Sequence, residues 1–319
     1  MATRLQSAAL VILDRTIARM LPAVPRPLVH KLAQRYIAGP TLADACRVVR
    51  AANAAGKLAT IDVLGEEITR GEEARAIARA YRDVFETIER QDLDSNVSVK
   101  LTALGLKLDY DLCRENLDSV VRDAARRGNF VRIDMEDAST TDDTLRLYRE
   151  LREAGYENVG VVLQAYLRRT LDDIRSLADL QPSVRICKGI YLEPPELAFQ
   201  GYEEVRANFV RALEALLDSG CYVAIATHDE WLVSEGRRIV ARRGLGRDEY
   251  EFQMLLGVAE PLGKRLVGDG HRLRIYVPFG EHWYAYSLRR LQENPRIAGY
   301  IAADTLGRLV PRRNGREGP

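Results

Sequence analysis

Beyond residue 58, short apolar runs rich in β-branched residues alternate with amphipathic stretches of helical periodicity. This alternation is typical of βα units, in which a helix follows each strand of a parallel sheet. The apolar runs predict eight strands, at residues 59–65, 97–104, 130–136, 159–166, 184–190, 222–228, 250–256 and 273–279. Helical patterns are clearest at residues 71–90, 142–154, 171–180 and 203–218, and a last one, at 283–294, follows the final strand. The pattern therefore predicts an α/β protein.

Eight such units over roughly 240 residues match the size of a closed (βα)8 barrel of the TIM type, whose active site lies at the carboxyl ends of the strands. An open doubly wound sheet is the alternative, because strand order cannot be deduced from one sequence. The 319 residues, 46% of them hydrophobic, suffice for one large core and are few for two. We expect a helical arm at residues 1–55, the barrel at 56–310, and a disordered tail at 311–319.

Composition and missing motifs argue against several functions. Lys and Arg total 47 against 46 Asp and Glu, so no basic surplus favours nucleic acid as a partner. The four cysteines lie far apart and without metal-ligand spacing, which predicts reduced thiols in a cytoplasmic protein and no metal site. No apolar run approaches the roughly 20 residues of a membrane helix. Residues 257–264 resemble a phosphate loop with the wrong spacing, and neither a dinucleotide fingerprint nor a serine hydrolase motif occurs.

Charged and polar residues interrupt most of the predicted strands. Buried parallel strands are normally continuous in aliphatic residues, so these interruptions carry information. A structural ion pair explains any one of them more often than a direct function does, but strand ends of a barrel converge on one mouth. Their joint occurrence therefore predicts a site there, from Lys100, Asp134, Glu136, Gln164, Arg185, Lys188 and His228.

The fifth strand has a further pattern. A strand alternates its faces, so Arg185, Cys187, Gly189 and Tyr191 are expected on one face, with Gly189 leaving room for a flat ligand.

The predicted last helix contains a second cluster. Arg289 and Arg290 are followed by Glu293, at helical spacing that lets the carboxylate brace the guanidinium groups. Two adjacent arginines suit a planar carboxylate ligand. Taken alone, this pattern is more often a surface salt bridge.

The motifs that carry these residues resemble the proline dehydrogenase family, the flavoenzymes that oxidise proline to Δ1-pyrroline-5-carboxylate. They occur in the order of the family and span residues 59–295: Ser-Val-Lys-Leu-Thr-Ala-Leu at 98–104, Ile-Asp-Met-Glu at 133–136, Val-Arg-Ile-Cys-Lys-Gly-Ile-Tyr at 184–191, Ala-Thr-His at 226–228, Arg-Ile-Tyr-Val-Pro-Phe-Gly at 274–280 and Arg-Arg-Leu-Gln-Glu-Asn-Pro at 289–295. Each motif is weak, but the set is specific. The resemblance implies a (βα)8 barrel with its last helix over the mouth and FAD held without a covalent bond.

The resemblance also implies residue roles. Lys100, Arg289 and Arg290 would bind the carboxylate of L-proline, and Glu293 would hold the arginine pair. Tyr191, Leu255 and Tyr276 would wall the substrate ring, and Asp134 would order the network. Arg185 would lie near flavin N5, so Asp134, Arg185 and Tyr276 are the catalytic candidates. The remaining cofactor candidates are Met135, through its backbone, with Gln164, Cys187, Lys188, Gly189, Thr227 and His228.

Three positions depart from the pattern of the family: Ile190, Leu192 and Asp229 stand where Ala, Trp and Asn are common. These departures affect the packing and the potential of the flavin more than the reaction class.

The resemblance further implies partners. A quinone would accept the electrons, and a separate pyrroline-5-carboxylate dehydrogenase would continue the route to glutamate, because the chain is short for the bifunctional type. The N-terminal arm is amphipathic, and we hypothesise a peripheral contact with the inner face of the membrane.

Three other functions stay open on the sequence alone. One is hydroxyproline oxidation, which needs space beside the substrate ring for the 4-hydroxyl group. The resemblance implies that the side chain of Tyr276 fills this space. Lys100 on a barrel strand also suits a Schiff-base aldolase. The third alternative is a barrel that binds an amino acid without catalysis.

Overall fold

The structure, a computed structural model, describes residues 35–65, 68–281 and 283 of the chain. Eight parallel strands form a closed barrel in sequence order. Closure is direct, because β1 pairs with β2 on one side and with β8 on the other, and this rules out the open doubly wound sheet. The strands are β1 Leu58–Val63, β2 Ser95–Val99, β3 Val131–Ile133, β4 Val159–Gln164, β5 Ser183–Cys187, β6 Tyr222–Ala226, β7 Tyr250–Leu255 and β8 Leu273–Phe279.

The helices of the described residues surround this barrel. They are α1 Leu42–Ala54, α2 Gly71–Arg90, α3 Tyr110–Arg126, α4 Thr141–Glu153, α5 Thr170–Leu177, α6 Tyr202–Asp218, α7 Glu230–Arg242 and α8 Glu260–Gly268. Helix α2 shows why they pack there: Tyr81, Phe85 and Ile88 recur at helical spacing and are buried in the barrel core. Helix α1, within the predicted N-terminal arm, packs on β1 and β8. The domain boundaries proposed from the sequence stay a prediction.

Several strands are shorter than predicted. The second strand, predicted to reach residue 104, ends at Val99, because residues 101–108 form consecutive turns. The third, predicted for 130–136, covers only Val131–Ile133. The apolar composition continues past both strand ends because the following loops are also buried: Leu101, Leu104 and Met135 belong to the core. Candidate residues in these stretches therefore lie in loops after the strands.

The barrel interior is ionic. Arg185 on β5 donates hydrogen bonds to Asp134, just after β3, and to Gln253 on β7, two strands away on either side. Contacts between non-adjacent strands must cross the interior. Arg132 on β3 precedes Asp134 by two positions, and Glu251 on β7 precedes Gln253 by two positions. Each therefore shares the strand face of the later residue, and both are also buried.

Glycine makes room for one of these charges. A Cβ atom at Gly160 would lie 2.5 Å from Arg132 Nη1 and 2.5 Å from the carbonyl oxygen of Ser183, both much closer than van der Waals contact. Arg132 Nη1 uses this space to donate to Val161 O at 3.0 Å. Residue 160 must therefore be glycine if the Arg132 guanidinium is to stay inside the barrel.

Candidate active site

Asp134 is the centre of a hydrogen-bonded cluster at the carboxyl ends of the strands. Its Oδ1 accepts from Ser98 Oγ at 2.5 Å and from Arg185 Nη1 at 2.6 Å. Its Oδ2 accepts from the Tyr276 hydroxyl at 2.9 Å and lies 3.4 Å from Lys100 Nζ. The structure thus brings together four of the predicted residues, Lys100, Asp134, Arg185 and Tyr276.

The charge state of Asp134 follows from these contacts. Burial acts to raise the pKa of this carboxyl, but the charges of Lys100 and Arg185 and the hydrogen bonds from Ser98 and Tyr276 outweigh burial, so its pKa lies below the ordinary value. A carboxylate of low pKa is a poor proton acceptor at neutral pH. Asp134 is therefore suited to hold the surrounding donors in place and unsuited to act as a general base.

Lys100 is held by a second carboxylate that we did not single out from the sequence. Lys100 directly follows the last residue of β2. Its Nζ lies 2.8 Å from Asp62 Oδ2 and 2.9 Å from the Tyr276 hydroxyl. Asp62 lies on β1 and is fully buried. Its signal was present, because Asp62 interrupts the apolar run Ala-Thr-Ile-Asp-Val in the same way that Lys100 interrupts the next strand.

Arg185 and Lys100 contact Tyr276 in different ways. The guanidinium carbon of Arg185 lies 5.5 Å from the ring centroid of Tyr276, within the range of cation–π attraction. Lys100 Nζ lies 5.7 Å from the centroid but 2.9 Å from the hydroxyl oxygen, so its contact is a hydrogen bond to the hydroxyl. Tyr276 therefore contacts Arg185 through its ring and joins Lys100 to Asp134 through its hydroxyl.

Two polar groups near this cluster keep unused hydrogen-bonding capacity. Gln164, the last residue of β4, donates through Nε2 to the carbonyl oxygens of Met135 at 3.2 Å and Glu136 at 3.3 Å. Its Oε1 is buried and accepts no hydrogen bond from the described residues. The hydrogen bonds of Arg185 leave from Nε and Nη1, and none to a described residue leaves from Nη2. A buried acceptor and a cationic donor are thus available to a ligand.

Glu136 has a different place from the one expected. Both its oxygens accept from Thr102, from the backbone N–H at 3.0 Å and from the hydroxyl at 2.5 Å. These bonds tie the loop after β3 to the loop that follows Lys100, so Glu136 helps to fix that loop.

The alternation of faces expected for Gly189 is wrong. Strand β5 ends at Cys187, so the alternation of faces does not continue to Gly189 and Tyr191. Gly189 has a φ of +103°, and a Cβ atom there would lie 2.1 Å from a ring carbon of Tyr166. The Tyr166 ring thus fills the space on the side of Gly189 where a Cβ would lie, and a contact of Gly189 with the cofactor stays a prediction.

The candidates after β5 and β6 are tied to one another by Asp229. This residue accepts from Arg206 at 2.7 and 2.9 Å and from the Tyr202 hydroxyl at 2.6 Å, and Lys188 Nζ lies 3.5 Å away. Burial acts to raise the pKa of Asp229, but Arg206, Tyr202 and Lys188 together hold it well below its usual range. The carboxylate is therefore an anion that partly neutralises Lys188. The backbone N–H of Asp229 donates to Thr227 Oγ1 at 3.1 Å.

The remaining candidates lie around the same end of the barrel. His228 Nε2 accepts from the backbone N–H of Leu255 at 2.9 Å, which joins the ends of β6 and β7. Cys187 and Tyr191 are half-buried. Arg289, Arg290 and Glu293, with the predicted last helix, lie outside the described residues. No helix within residues 35–65 or 68–281 is long and apolar enough to cross a bilayer.

The chain is similar to known proteins over most of its length. The model of a protein family described as Proline dehydrogenase matches residues 45–302. Proline dehydrogenase 1 of Bacillus subtilis is 36% identical over 269 residues, 84% of this chain and 89% of its own, and Proline dehydrogenase of Deinococcus radiodurans is 36% identical over 305 residues, 94% and 97%. Among solved structures, proline utilization A (PutA) of Bdellovibrio bacteriovorus inactivated by N-propargylglycine matches at 27% identity and a TM-score of 0.78. That match covers 86% of this chain and 34% of the PutA chain.

Proposed function

The chain belongs to the proline dehydrogenase family, and on this premise we propose that it oxidises L-proline to Δ1-pyrroline-5-carboxylate with FAD as the hydride acceptor. This oxidation is the first step of proline degradation to glutamate. The observation that carries the proposal is the cluster in which Lys100, Arg185 and Tyr276 surround Asp134. It provides cations for an amino acid carboxylate and an aromatic wall beside them.

The family is generally FAD-dependent, and the described residues fit a flavin. Gln164 Oε1 is a buried acceptor without a donor, and Arg185 Nη2 carries unused N–H donors. An isoalloxazine ring has both an N–H group and acceptor atoms, so it satisfies both needs. Bound FAD supplies a two-electron acceptor for the hydride.

The residues of the chain would prepare the substrate. Lys100 would bind the carboxylate together with Arg289 and Arg290, and this contact orients the pyrrolidine ring. Hydride leaves the carbon beside nitrogen only when the nitrogen lone pair is free. The nearby cations disfavour a charged ammonium group, so they favour loss of the amine proton. No strong base is then needed, which is consistent with the low pKa of Asp134.

The geometry argues against the aldolase alternative. Lys100 Nζ is ion-paired with Asp62 at 2.8 Å and with Asp134 at 3.4 Å. A Schiff-base lysine must attack a carbonyl as a neutral amine. Lys100 would have to give up a proton and two ion pairs to do so.

The visible spectrum of the purified protein before and after anaerobic L-proline tests the proposal. We expect a yellow protein whose flavin absorbance bleaches. A flavin that proline does not bleach would refute L-proline as the substrate, whereas bleaching would exclude a barrel that only binds an amino acid. Borohydride trapping of a carbonyl substrate on Lys100 would support the aldolase. Comparison with 4-hydroxyproline as the reductant separates the two imino acids.

We also propose the partners that the family resemblance implies. A quinone would reoxidise the flavin, and a separate pyrroline-5-carboxylate dehydrogenase would take the product. The N-terminal arm would make the peripheral membrane contact. A chain without residues 1–40 that binds liposomes as well as the full chain would refute this role of the arm.

A further inference from the structure

A single line of hydrogen bonds runs along the barrel interior from Arg185 toward the amino ends of the strands. Arg185 Nε donates to Gln253 Oε1, and Gln253 Nε2 donates to Glu251 Oε1, each at 2.5 Å. The same Glu251 oxygen accepts from Arg274 Nε at 2.8 Å, and Arg274 Nη1 donates to the Ala59 carbonyl at 2.7 Å. All four of these side chains are buried. Gln253 is therefore the link between the predicted catalytic arginine and a fixed ionic layer beneath it.

The orientation of the Gln253 amide is fully determined. Arg185 Nε can only donate, so the amide oxygen must face it, and the amide nitrogen must then face Glu251. Burial acts to raise the pKa of Glu251, but Arg274, Gln253 and Arg132 outweigh it and hold the pKa below the ordinary value, so this partner is an acceptor. A flipped amide would place two donors together and two acceptors together. Gln253 therefore holds the Nε edge of the Arg185 guanidinium in a single amide orientation.

Gln253 and Asp134 together fix the plane of the guanidinium group. Asp134 holds Nη1 from the side of β3, and Gln253 holds Nε from the side of β7. With both nitrogens engaged, the group cannot rotate about its own axis, and Nη2 keeps one direction. Without Gln253, Nη1 would keep its bonds to Asp134 and Ser98, and the Nε edge would lose its anchor.

We propose that Gln253 is a positioning residue for the redox step: it fixes the Arg185 guanidinium so that Nη2 presents its N–H donors to the bound flavin. The inference rests on the proposed function. Its physical basis is that a donor stabilises developing negative charge best when it is already in place and needs no reorganisation. Removing the second anchor should weaken that stabilisation without changing how the substrate carboxylate is bound.

The test replaces Gln253 with Met, which has a similar size and neither hydrogen bond. We expect the rate of anaerobic flavin reduction by proline to fall by about tenfold to a hundredfold, with the proline KM changed by less than about threefold. The equilibrium constant for reduction of the bound flavin, measured against redox dyes without proline, should fall about tenfold, which is about 30 mV for two electrons. Gln253→Glu should stay within about threefold of the wild type. The new carboxyl would contact the Glu251 carboxylate, two carboxyls so close share one proton, and the protonated one accepts from Arg185 and donates to Glu251 as the amide does.

Thr60→Val is the matched control. Thr60 donates a partly buried hydrogen bond to Asn96 inside the barrel, and no hydrogen bond joins either residue to Arg185 within the part of the chain that the structure describes. This variant should lower stability and leave the reduction rate and the flavin potential unchanged. The positioning role would be overturned if Gln253→Met kept the reduction rate and the flavin potential of the wild type. It would also be overturned if Thr60→Val or Gln253→Glu lowered both as much as Gln253→Met does.

Two further measures keep the result interpretable. If Gln253→Met yields no soluble protein, Gln253→Asn, whose amide is one methylene shorter, is measured instead, and an unchanged potential there overturns the inference. If dithionite bleaches the wild type and proline does not, the proposed substrate is wrong. The dye-determined potentials still decide the role of Gln253 in that case, because they need no proline.

Discussion

Replacing Lys100 with Met tests how strongly the ionic cluster is coupled. Lys100 Nζ lies 2.8 Å from Asp62 Oδ2, and the two side chains are only 11% and 1% exposed, so solvent screens the pair little. Removing one partner of such a pair leaves a buried charge without its closest counter-ion, and we expect the free energy of unfolding to fall by about 3 to 5 kcal/mol. The Asp134 carboxylate keeps Arg185, Ser98 and Tyr276 as donors and should contribute less to the loss.

A second substitution separates the effect of the unpaired Asp62 charge from the effect of the changed side-chain shape at position 100. Lys100→Met with Asp62→Asn removes both charges, and we expect this double variant to recover about 2 kcal/mol or more of the loss. Lys107→Met is the matched control: Lys107 lies 2.6 Å from Asp137, but the side chains are 54% and 31% exposed, and the loss should be below about 1 kcal/mol.

The assay is urea unfolding followed by circular dichroism. All variants are measured at the same saturating FAD concentration, because bound cofactor adds to the free energy of unfolding. Equal losses for Lys100→Met and Lys107→Met, or no recovery in the double variant, would show that burial of this pair does not govern stability as argued.

Four further outcomes are expected. Arg289→Met should raise the proline KM roughly tenfold to a hundredfold with little effect on unfolding, because a charge-assisted contact is worth about 1.5 to 3 kcal/mol; an unchanged KM would contradict the carboxylate assignment. Tyr276→Ser should relax discrimination against 4-hydroxyproline, and an unchanged ratio of the two activities would count against it. Gly160→Ala should lower the free energy of unfolding by about 1 to 3 kcal/mol in urea, whereas Gly268→Ala, where a Cβ meets nothing within 4 Å, should not lower it. The pKa of Asp134 is lower in the folded state than in the unfolded state, so its ionised carboxylate stabilises the folded protein. This contribution is complete above the unfolded pKa of about 3.9 and is lost as the pH falls through the folded pKa. The free energy of unfolding of Asp134→Asn in urea should therefore depend less on acid pH than that of the wild type.

Periodicity predicted the elements better than their ends. Helix α2 has the predicted bounds, because its buried apolar residues recur at helical spacing from Ala74 to Ile88. The second strand was predicted to end five residues too late, since Leu101 and Leu104 are buried in turns and have the composition of a strand. Burial alone does not distinguish a strand from a buried loop.

The candidate site was predicted in part for a similar reason. A charge inside an apolar strand marks a residue of the barrel interior, and this signal identified Lys100 and Arg185. It does not indicate depth, so Arg274 has the same pattern although it lies one layer below Tyr276. Gln253 interrupts its apolar strand as Gln164 does, but it was not among the predicted site residues. Its contact with Arg185 depends on how strands two places apart face each other across the barrel, which one sequence does not show.

The bonds that cross the interior also bear on how the barrel assembles. Arg185 belongs to the second half of the chain and Asp134 to the first, and Lys100 meets Tyr276 across the same division. A half-barrel of β1–β4 or β5–β8 would enclose ionic groups whose counterparts are on the missing strands. Closure should therefore be all-or-none, with no stable intermediate made of four strands.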